Sequence, residues 1–366
     1  MISAPPRIDQ YAPATSAGDG VTNGLFYTRK LLQRLGFASD IFSHHIPDSL
    51  SAEIKHASAF KDNVCSLLLY SHSMGHDYGK WMIKQSCKKA VVYHNITPAN
   101  FFPAGSELEH YSQLGRKQLH EWREQFVAAI GDSHVNSEEL KEAGYTNVAT
   151  LPLLVDPNRL GGASSQPVFT YPLSSSVPVF LTIGRLVENK RQHFLIDAFW
   201  HLCRMLKQDG RPLPYLVIVG GTTSPDYAQA LRDHSYKLGL SEYIHQPGKC
   251  SDEELRWLYQ HASQYWCASE HEGFCMPLIE ANFFNLPVVS TAHSNIPYTL
   301  GEAGLLIDED SPVHFAAASR EILISPDLHR ALVTGGQRNL NRYHPDTLIP
   351  QLREWLATLG LVAPLV

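Results

Sequence analysis

Two glutamates eight residues apart, Glu272 and Glu280, frame the segment Ser269-Glu270-His271-Glu272-Gly273-Phe274-Cys275-Met276-Pro277-Leu278-Ile279-Glu280-Ala281. Tyr265-Trp266-Cys267-Ala268 just before it reads as a short strand leaving a core. Pro277 suits the first turn of a helix, where a missing N–H costs nothing. Glu272 is therefore expected in the loop at a strand's C-terminal end, and Glu280 about one turn into the next helix. The N–H groups of Gly273, Phe274, Cys275 and Met276 then face outward at a helix start, which is an anion site. Carboxylates accept hydrogen bonds from two hydroxyls each. Two of them around a phosphate-binding helix start suit a sugar nucleotide.

Other groups fit the same ligand. Val179-Phe180-Leu181-Thr182-Ile183 runs into Gly184-Arg185, with Lys190 five residues beyond Arg185. A strand ending in Gly-Arg places cations at a sheet's C-terminal edge, where open α/β sheets bind ligands. Arg grips phosphate oxygens with two parallel bonds, and Lys acts as a point charge. Gly220-Gly221 ends the next apolar run and lets backbone approach a ligand. Lys249 stands in a Gly turn, Gln246-Pro247-Gly248-Lys249, before the helix start Ser251-Asp252-Glu253-Glu254.

In the first half, Val91-Val92-Tyr93-His94-Asn95-Ile96-Thr97-Pro98 is a strand ending in His. Tyr70-Ser71-His72 ends the strand before it, and His44-His45 follows another. Gly18-Asp19-Gly20-Val21-Thr22-Asn23-Gly24 precedes a helical stretch. Its Gly-x-Gly-x-x-x-Gly spacing is one residue too long for a dinucleotide fingerprint, and it does not follow its strand directly. Asp40 stands about where that fingerprint's ribose-binding acid would. The spacing therefore argues against a dinucleotide site.

The Glu272–Glu280 spacing, with its Gly-Phe, Pro and trailing Glu-Ala, resembles the E-x7-E signature of the retaining glycosyltransferases of family 4, on the GT-B fold. Gly184-Arg185…Lys190 resembles that family's diphosphate-holding element. Tyr93-His94-Asn95-Ile96-Thr97-Pro98 resembles a segment of its bacterial polysaccharide transferases. The likeness is strongest over Val177 to Asp308 and good over Ser66 to Phe102. It implies two Rossmann-like α/β domains with a cleft between them, the acceptor on the N-terminal one and the nucleotide sugar on the other.

It also implies roles. Glu272 contacts the transferred sugar and His94 orients it. Glu280 binds the ribose. Gly18, Gly20, Arg185, Lys190, Gly221, Gly273, Phe274, Cys275 and Met276 line the donor, and Lys249 lies near its base. His72 and Asn95 lie on the acceptor side. Neither cofactor nor metal is expected. The His-Glu-Gly-Phe-Cys-Met-Pro-Leu form resembles mannosyltransferases of surface-polysaccharide assembly. GDP-mannose and a lipid-linked glycan are thus the expected substrates, with UDP-sugars as the alternative donor. A sugar-nucleotide epimerase, or a binding protein without turnover, are the other readings.

The rest of the chain must position these groups. Its 366 residues suffice for about two domains. Short apolar runs alternate with helical patterns, which means βαβ units and mostly parallel sheets. Strands are expected at 7–11, 39–42, 66–70, 90–93, 126–130 and 148–151. After the Pro-, Gly- and Ser-rich stretch they resume at 179–183, 215–219, 243–246, 264–268, 288–290 and 304–307. Leu25 to Leu35 and Leu114 to Gln125 read as helices, and Asn136 as the N-cap of another, with Glu139 three residues on. The expected domains are 1–155 and 178–345, joined by a linker at 156–177. The helix at 346–366 is expected, from the resemblance, to return to the first.

Six cysteines without a Cys-x-x-Cys pair read as reduced thiols of a cytoplasmic protein. A net charge of −6 argues against wholesale nucleic-acid binding. No apolar run reaches the roughly 18 residues of a membrane span, and Met1 to Pro6 does not read as a signal peptide. Lys80, Lys84, Lys88 and Lys89 around Trp81 and Met82 suggest peripheral contact with an anionic membrane, or simply a solvated helix.

Overall fold

A computed structural model describes residues 6–152, 160–167, 177–222 and 224–362. Residues 156–159 and 168–176 of the expected linker lie outside the described residues. The chain divides into two compact units, Met1–Val155 with Arg342–Val366, and Asp156–Asn341.

The first unit holds a seven-stranded parallel sheet. Its strands are β1 (Ile8–Tyr11), β2 (Ile41–Ser43), β3 (Lys55–His56), β4 (Leu67–His72), β5 (Lys88–Tyr93), β6 (Ala128–Gly131) and β7 (Val148–Thr150), in the order β3-β2-β1-β4-β5-β6-β7. Helix α1 (Gly20–Arg34) starts on the Asp19 side chain, which accepts from the Thr22 N–H at 3.2 Å. The other helices before the last are α2 (Gly79–Lys84), α3 (Glu107–Glu121) and α4 (His134–Glu142).

Alternate strand residues point to opposite faces. Ile8, Leu67, Leu69 and Ala90 pack under Leu31 and Leu32 of α1 and under Leu348, Leu352, Trp355 and Leu356 near the C-terminus. Leu68, Tyr70, Val91 and Ala129 pack against Met82, Leu119 and Leu140 on the other face. The N-cap of α4 is Ser133, not Asn136: its hydroxyl accepts from the Asn136 N–H at 3.2 Å. Asn136 is fully buried inside that helix, where its amide serves other partners.

The second unit repeats the pattern with six parallel strands. These are β8 (Val179–Ile183), β9 (Tyr215–Val219), β10 (Ile244–Gly248), β11 (Gln264–Cys267), β12 (Val288–Thr291) and β13 (Gly304–Ile307), in the order β10-β9-β8-β11-β12-β13. Between and after them lie α5 (Gln192–Gln208), α6 (Pro225–Lys237), α7 (Asp252–His261), α8 (Met276–Phe283), α9 (Ile296–Leu300), α10 (Pro312–Ile324) and α11 (Pro326–Leu340). The final helix, α12 (Pro345–Thr358), belongs to the first unit.

Phe180 and Trp266 face α5 and α10, with Phe199 and Phe315 against them. Leu181, Tyr265 and Cys267 face the opposite layer with Trp257, Leu278 and Ala281. Both sheets have the doubly wound order, in which the chain reverses direction beside its first strand and leaves a crevice at the strands' C-terminal ends. In the second unit that reversal lies between β8 and β11.

Two of the four lysines considered for a membrane surface are tied into the fold. Lys89 is buried, with Nζ donating to the Gln85 carbonyl at 2.5 Å. Lys88 donates to the Leu359 carbonyl at 3.1 Å. Lys80 and Lys84 remain exposed on a helix of six residues. Among the described residues no helix is long and apolar enough to cross a membrane.

Candidate active site

Three loops meet where the second sheet reverses. They follow β8, β11 and β12. The Glu270 N–H donates to the Asn189 carbonyl at 2.8 Å, joining the first two. Lys190 Nζ donates to Glu272 Oε1 across the same junction, with side chains only 19% and 12% exposed. The Ser294 hydroxyl donates to the Glu272 carbonyl at 2.9 Å and accepts its N–H at 3.3 Å, fixing the third loop. Arg191 pairs with Glu270 at 3.4 Å and Asp310 at 2.7 Å, and it covers the Phe194 ring.

The charges of the central pair support each other. Burial alone raises a carboxyl. At Glu272 the Lys190 charge and hydrogen bond, with those from Ser269 and Cys275, outweigh it and hold the group below the usual glutamate range. Burial alone lowers an ammonium, yet Glu272 outweighs it and raises Lys190 above its ordinary value. Lys190, expected as a point charge beside Arg185, therefore meets a ligand as one half of a neutral pair. Arg185 is exposed on the same loop.

Glu280 is 6% exposed in the second turn of α8 and accepts from the Tyr259 hydroxyl at 2.8 Å. Gly273 and Met276 are half-buried and Phe274 is buried; the Phe274 carbonyl accepts from the Thr299 hydroxyl. Cys275 caps α8 with a left-handed backbone, φ 69°. Lys249 is exposed just after β10. In the Gly220-Gly221 pair, the close approach falls on Gly220: a Cβ there would lie 1.8 Å from the Gly184 carbonyl oxygen. A Cβ on Gly221 would meet nothing within 4 Å.

Cys267, Glu272 and Cys275 offer three ligand atoms within 4.8 Å of one another, a spacing that can hold a metal. The Lys190 ammonium already occupies Glu272 and opposes a second cation there. The sulfurs are 4.0 Å apart. Hydrogen bonding with Cys275 pulls the Cys267 thiol down to about 7, against burial and the Glu272 charge. Asp308-Glu309-Asp310 has the Asp-x-Asp spacing of many metal sites. In the structure Asp310 is engaged by Arg191 and, at 3.1 Å, by His293.

In the first unit, His94 stands just past β5 with its side chain 5% exposed. Its Nδ1 lies 3.0 Å from Oδ2 of Asp132, which follows β6 and is itself 2% exposed. Among the described residues no atom hydrogen-bonds the buried Nε2. Asp132 was not singled out by sequence. The available signal was its place after Ala129-Ile130-Gly131, the same strand-end position that drew attention to His94.

His72 and Asn95 do not serve as acceptor-side groups. His72 is 1% exposed, and both ring nitrogens are used inside the protein, by the Tyr70 hydroxyl at 2.7 Å and the Gly115 carbonyl at 2.9 Å. Burial lowers its pKa to about 4. Asn95 is buried at φ 67° and donates to Asn136 Oδ1 at 2.7 Å. His44 bonds the Tyr11 hydroxyl at 2.9 Å, and His45 the Tyr78 hydroxyl at 2.6 Å. Gly18, at φ 76°, is exposed, and Gly20 opens α1. Asp40 is held by Arg7 and Lys55 at 2.7 and 2.8 Å, which leaves no role in binding a ribose.

Residues 169–339 match the family described as glycosyl transferases group 1. A D-inositol 3-phosphate glycosyltransferase of Streptomyces bingchenggensis is 27% identical over 50% of this chain and 40% of its own length. The putative colanic acid biosynthesis glycosyltransferase WcaL of Salmonella typhimurium is 23% identical over 74% of this chain and 64% of its own. O-antigen chain mannosyltransferase B of Escherichia coli is 30% identical over 40% of this chain and 36% of its own. These alignments span from about a third to just under two thirds of the curated relatives.

Among solved structures, a glycosyltransferase from Rickettsia africae superposes with a TM-score of 0.73, at 16% identity, over 96% of this chain and 98% of that one. Anabaena HepE in complex with UDP-glucose gives 0.72, at 16% identity, over 96% and 99%. Two doubly wound sheets in one chain, matched almost end to end by these structures, are the GT-B fold. Within that fold, the segment carrying Arg185, Lys190, Glu272 and Glu280 is a group 1 glycosyltransferase domain.

Proposed function

We propose that this chain is a retaining glycosyltransferase of surface-polysaccharide assembly, moving mannose from GDP-mannose to a lipid-linked glycan. The observation that carries the reading is the junction of the β8 and β11 loops. It gathers Arg185, the Lys190–Glu272 pair, the start of α8 and Glu280 at the crevice of one doubly wound sheet. The choice of mannose and of a polysaccharide product leans on the relatives named for O-antigen and colanic acid synthesis.

In this reading Arg185 and the α8 start hold the donor diphosphate, and Glu280 accepts from the ribose hydroxyls. Glu272, its charge fixed by Lys190, accepts from hydroxyls of the sugar. The bond from the sugar's anomeric carbon to the diphosphate oxygen breaks. A bond from the acceptor oxygen to that carbon forms on the same face, and the acceptor's proton passes to a diphosphate oxygen. Fixed cations and dipoles already aimed at the leaving diphosphate stabilise the charge it gains. The reading calls for neither metal nor cofactor, and for a cytoplasmic enzyme that meets its acceptor at the membrane.

The test is a thermal-shift series with GDP, UDP, ADP and their sugar conjugates, in buffer with a chelator. A ligand that binds only the native state stabilises it by about 2.7 kcal/mol at 100 times its Kd. GDP and GDP-mannose should raise Tm with concentration, and Arg185→Ala should remove the rise. A response to uridine nucleotides alone would keep the transferase and reject mannose. No response to any nucleotide would reject the donor site.

A further inference from the structure

The His94–Asp132 pair lines a cavity in the first unit. Leu25, Leu69, Ile130 and Leu352 form much of its wall, and its volume is about 60 Å³. That is far below the roughly 300–1,000 Å³ of a whole small-molecule pocket. It accommodates one small group of a ligand.

Asp132 is anchored before any ligand arrives. Its N–H donates to the Tyr93 carbonyl at 3.3 Å. Oδ1 accepts from the Asn136 amide, and Asn136 is held in turn by Asn95. Oδ2 alone faces His94. A carboxylate only accepts hydrogen bonds, so the proton between the two groups belongs to Nδ1. In the neutral ring Nε2 then carries a lone pair and no proton. That nitrogen is the one with no partner among the described residues, and His94 and Asp132 both line the cavity.

We propose that Asp132 is a positioning residue: it holds His94 in the Nδ1–H form, so that Nε2 accepts a hydrogen bond from a hydroxyl of the bound ligand. The group selected is a hydroxyl or hydroxymethyl, small enough for the cavity and able to donate. A carbonyl or ether oxygen in its place would meet a lone pair and be rejected.

The chemistry also says how to break the device without disturbing its shape. In Asp132→Asn the side-chain oxygen still accepts from Asn136, while the new amide donates to Nδ1. His94 is thereby driven to the Nε2–H form and turns from acceptor to donor.

The experiment is nitrogen-15 NMR of the full chain, with His94 assigned by its loss in His94→Gln. Multiple-bond proton–nitrogen correlations report which ring nitrogen is protonated. The wild type should show Nδ1–H with a bare Nε2 near pH 7.5, and Asp132→Asn should show the reverse. A wild-type Nε2–H form, an imidazolium, or an unchanged tautomer in the variant would each overturn the proposal. Should the variant fail to fold, the wild-type spectrum still decides. The ligand half rests on the transferase reading and has its own readout: kcat/KM for GDP-mannose should fall about tenfold in Asp132→Asn with Tm nearly unchanged. If the wild type turns over no nucleotide sugar, the function assigned above fails while the NMR result stands on its own.

Discussion

Replacing Lys190 by Met removes the only charge that, among the described residues, stands within ion-pairing distance of the Glu272 carboxylate. With that side chain 12% exposed, water replaces little of the lost partner. Breaking a buried pair on one side typically costs about 3–5 kcal/mol. Glu272 has an escape, which is to take up a proton. From the ordinary glutamate value of 4.5, that costs about 1.4 kcal/mol for each pH unit by which the solvent lies above it. The cost of escape is about 3.4 kcal/mol at pH 7 and about 0.7 kcal/mol at pH 5. The deficit of Lys190→Met should therefore be about 3 kcal/mol at pH 7 and under about 1 kcal/mol at pH 5.

The wild type behaves in the opposite sense. Its lowered Glu272 contributes stability that is present above 4.5 and lost as pH falls through the folded-state value. Its raised Lys190 contributes stability that is present below 10.5 and lost as pH rises through the folded-state value. Between those limits the pair adds no slope of its own. Urea and thermal melts of both proteins from pH 5 to 8 measure the difference. For a unit of this size about 3 kcal/mol corresponds to a drop of roughly 6–12 °C in Tm. Adding Glu272→Gln should recover much of the loss at pH 7, because the orphaned charge is gone. A deficit under 1 kcal/mol at pH 7, or one that does not narrow on acidification, would refute the account of Glu272 as a buried, Lys190-dependent carboxylate.

Gly220→Ala should cost about 3 kcal/mol or prevent folding, since the new methyl lands on the Gly184 backbone; Gly221→Ala, with open space around it, should cost less than about 1 kcal/mol. Equal losses in thermal melts would sink that distinction. Glu280→Gln keeps the shape of the side chain but removes a charged acceptor worth about 1.5–3 kcal/mol. It should raise the donor KM at least tenfold; unchanged rates at subsaturating donor would remove Glu280 from the site.

The architecture was legible because its signals are local. Short apolar runs bounded by turns marked twelve strands, and each is present within a few residues of its expected limits. The thirteenth, β3, is two residues, Lys55 and His56, both exposed. It has no apolar pattern and exists only through its parallel pairing with Phe42 and Ser43. The misplaced N-cap at Asn136 has a similar origin. Its residue type suits a cap, but Ser133 does too, and long-range bonding to Asn95 draws Asn136 into the helix.

The site divides along the same line. Glu272 and Glu280 lie within one strand-loop-helix segment, so their spacing could be read directly. The partners that set their chemistry lie far away in sequence: Lys190 is 82 residues before Glu272, and Tyr259 is 21 before Glu280. Asp132 is 38 residues beyond His94.

His72 shows why strand-end position alone misleads. Like His94, it sits at the C-terminal edge of the first sheet. There Gly75 and Gly115 touch so closely that a Cβ on Gly75 would lie 2.4 Å from the Gly115 nitrogen. The absence of two methyl groups lets the backbone of α3 close over the end of β4. The Gly115 carbonyl then takes His72 Nε2, and the ring becomes part of the core. At the next strand the Nε2 of His94 has no partner among the described residues, and His94 lines a cavity instead. The difference between a core histidine and a cavity-lining one is thus decided by a contact between two glycines forty residues apart in the chain, which no local reading of either histidine can supply.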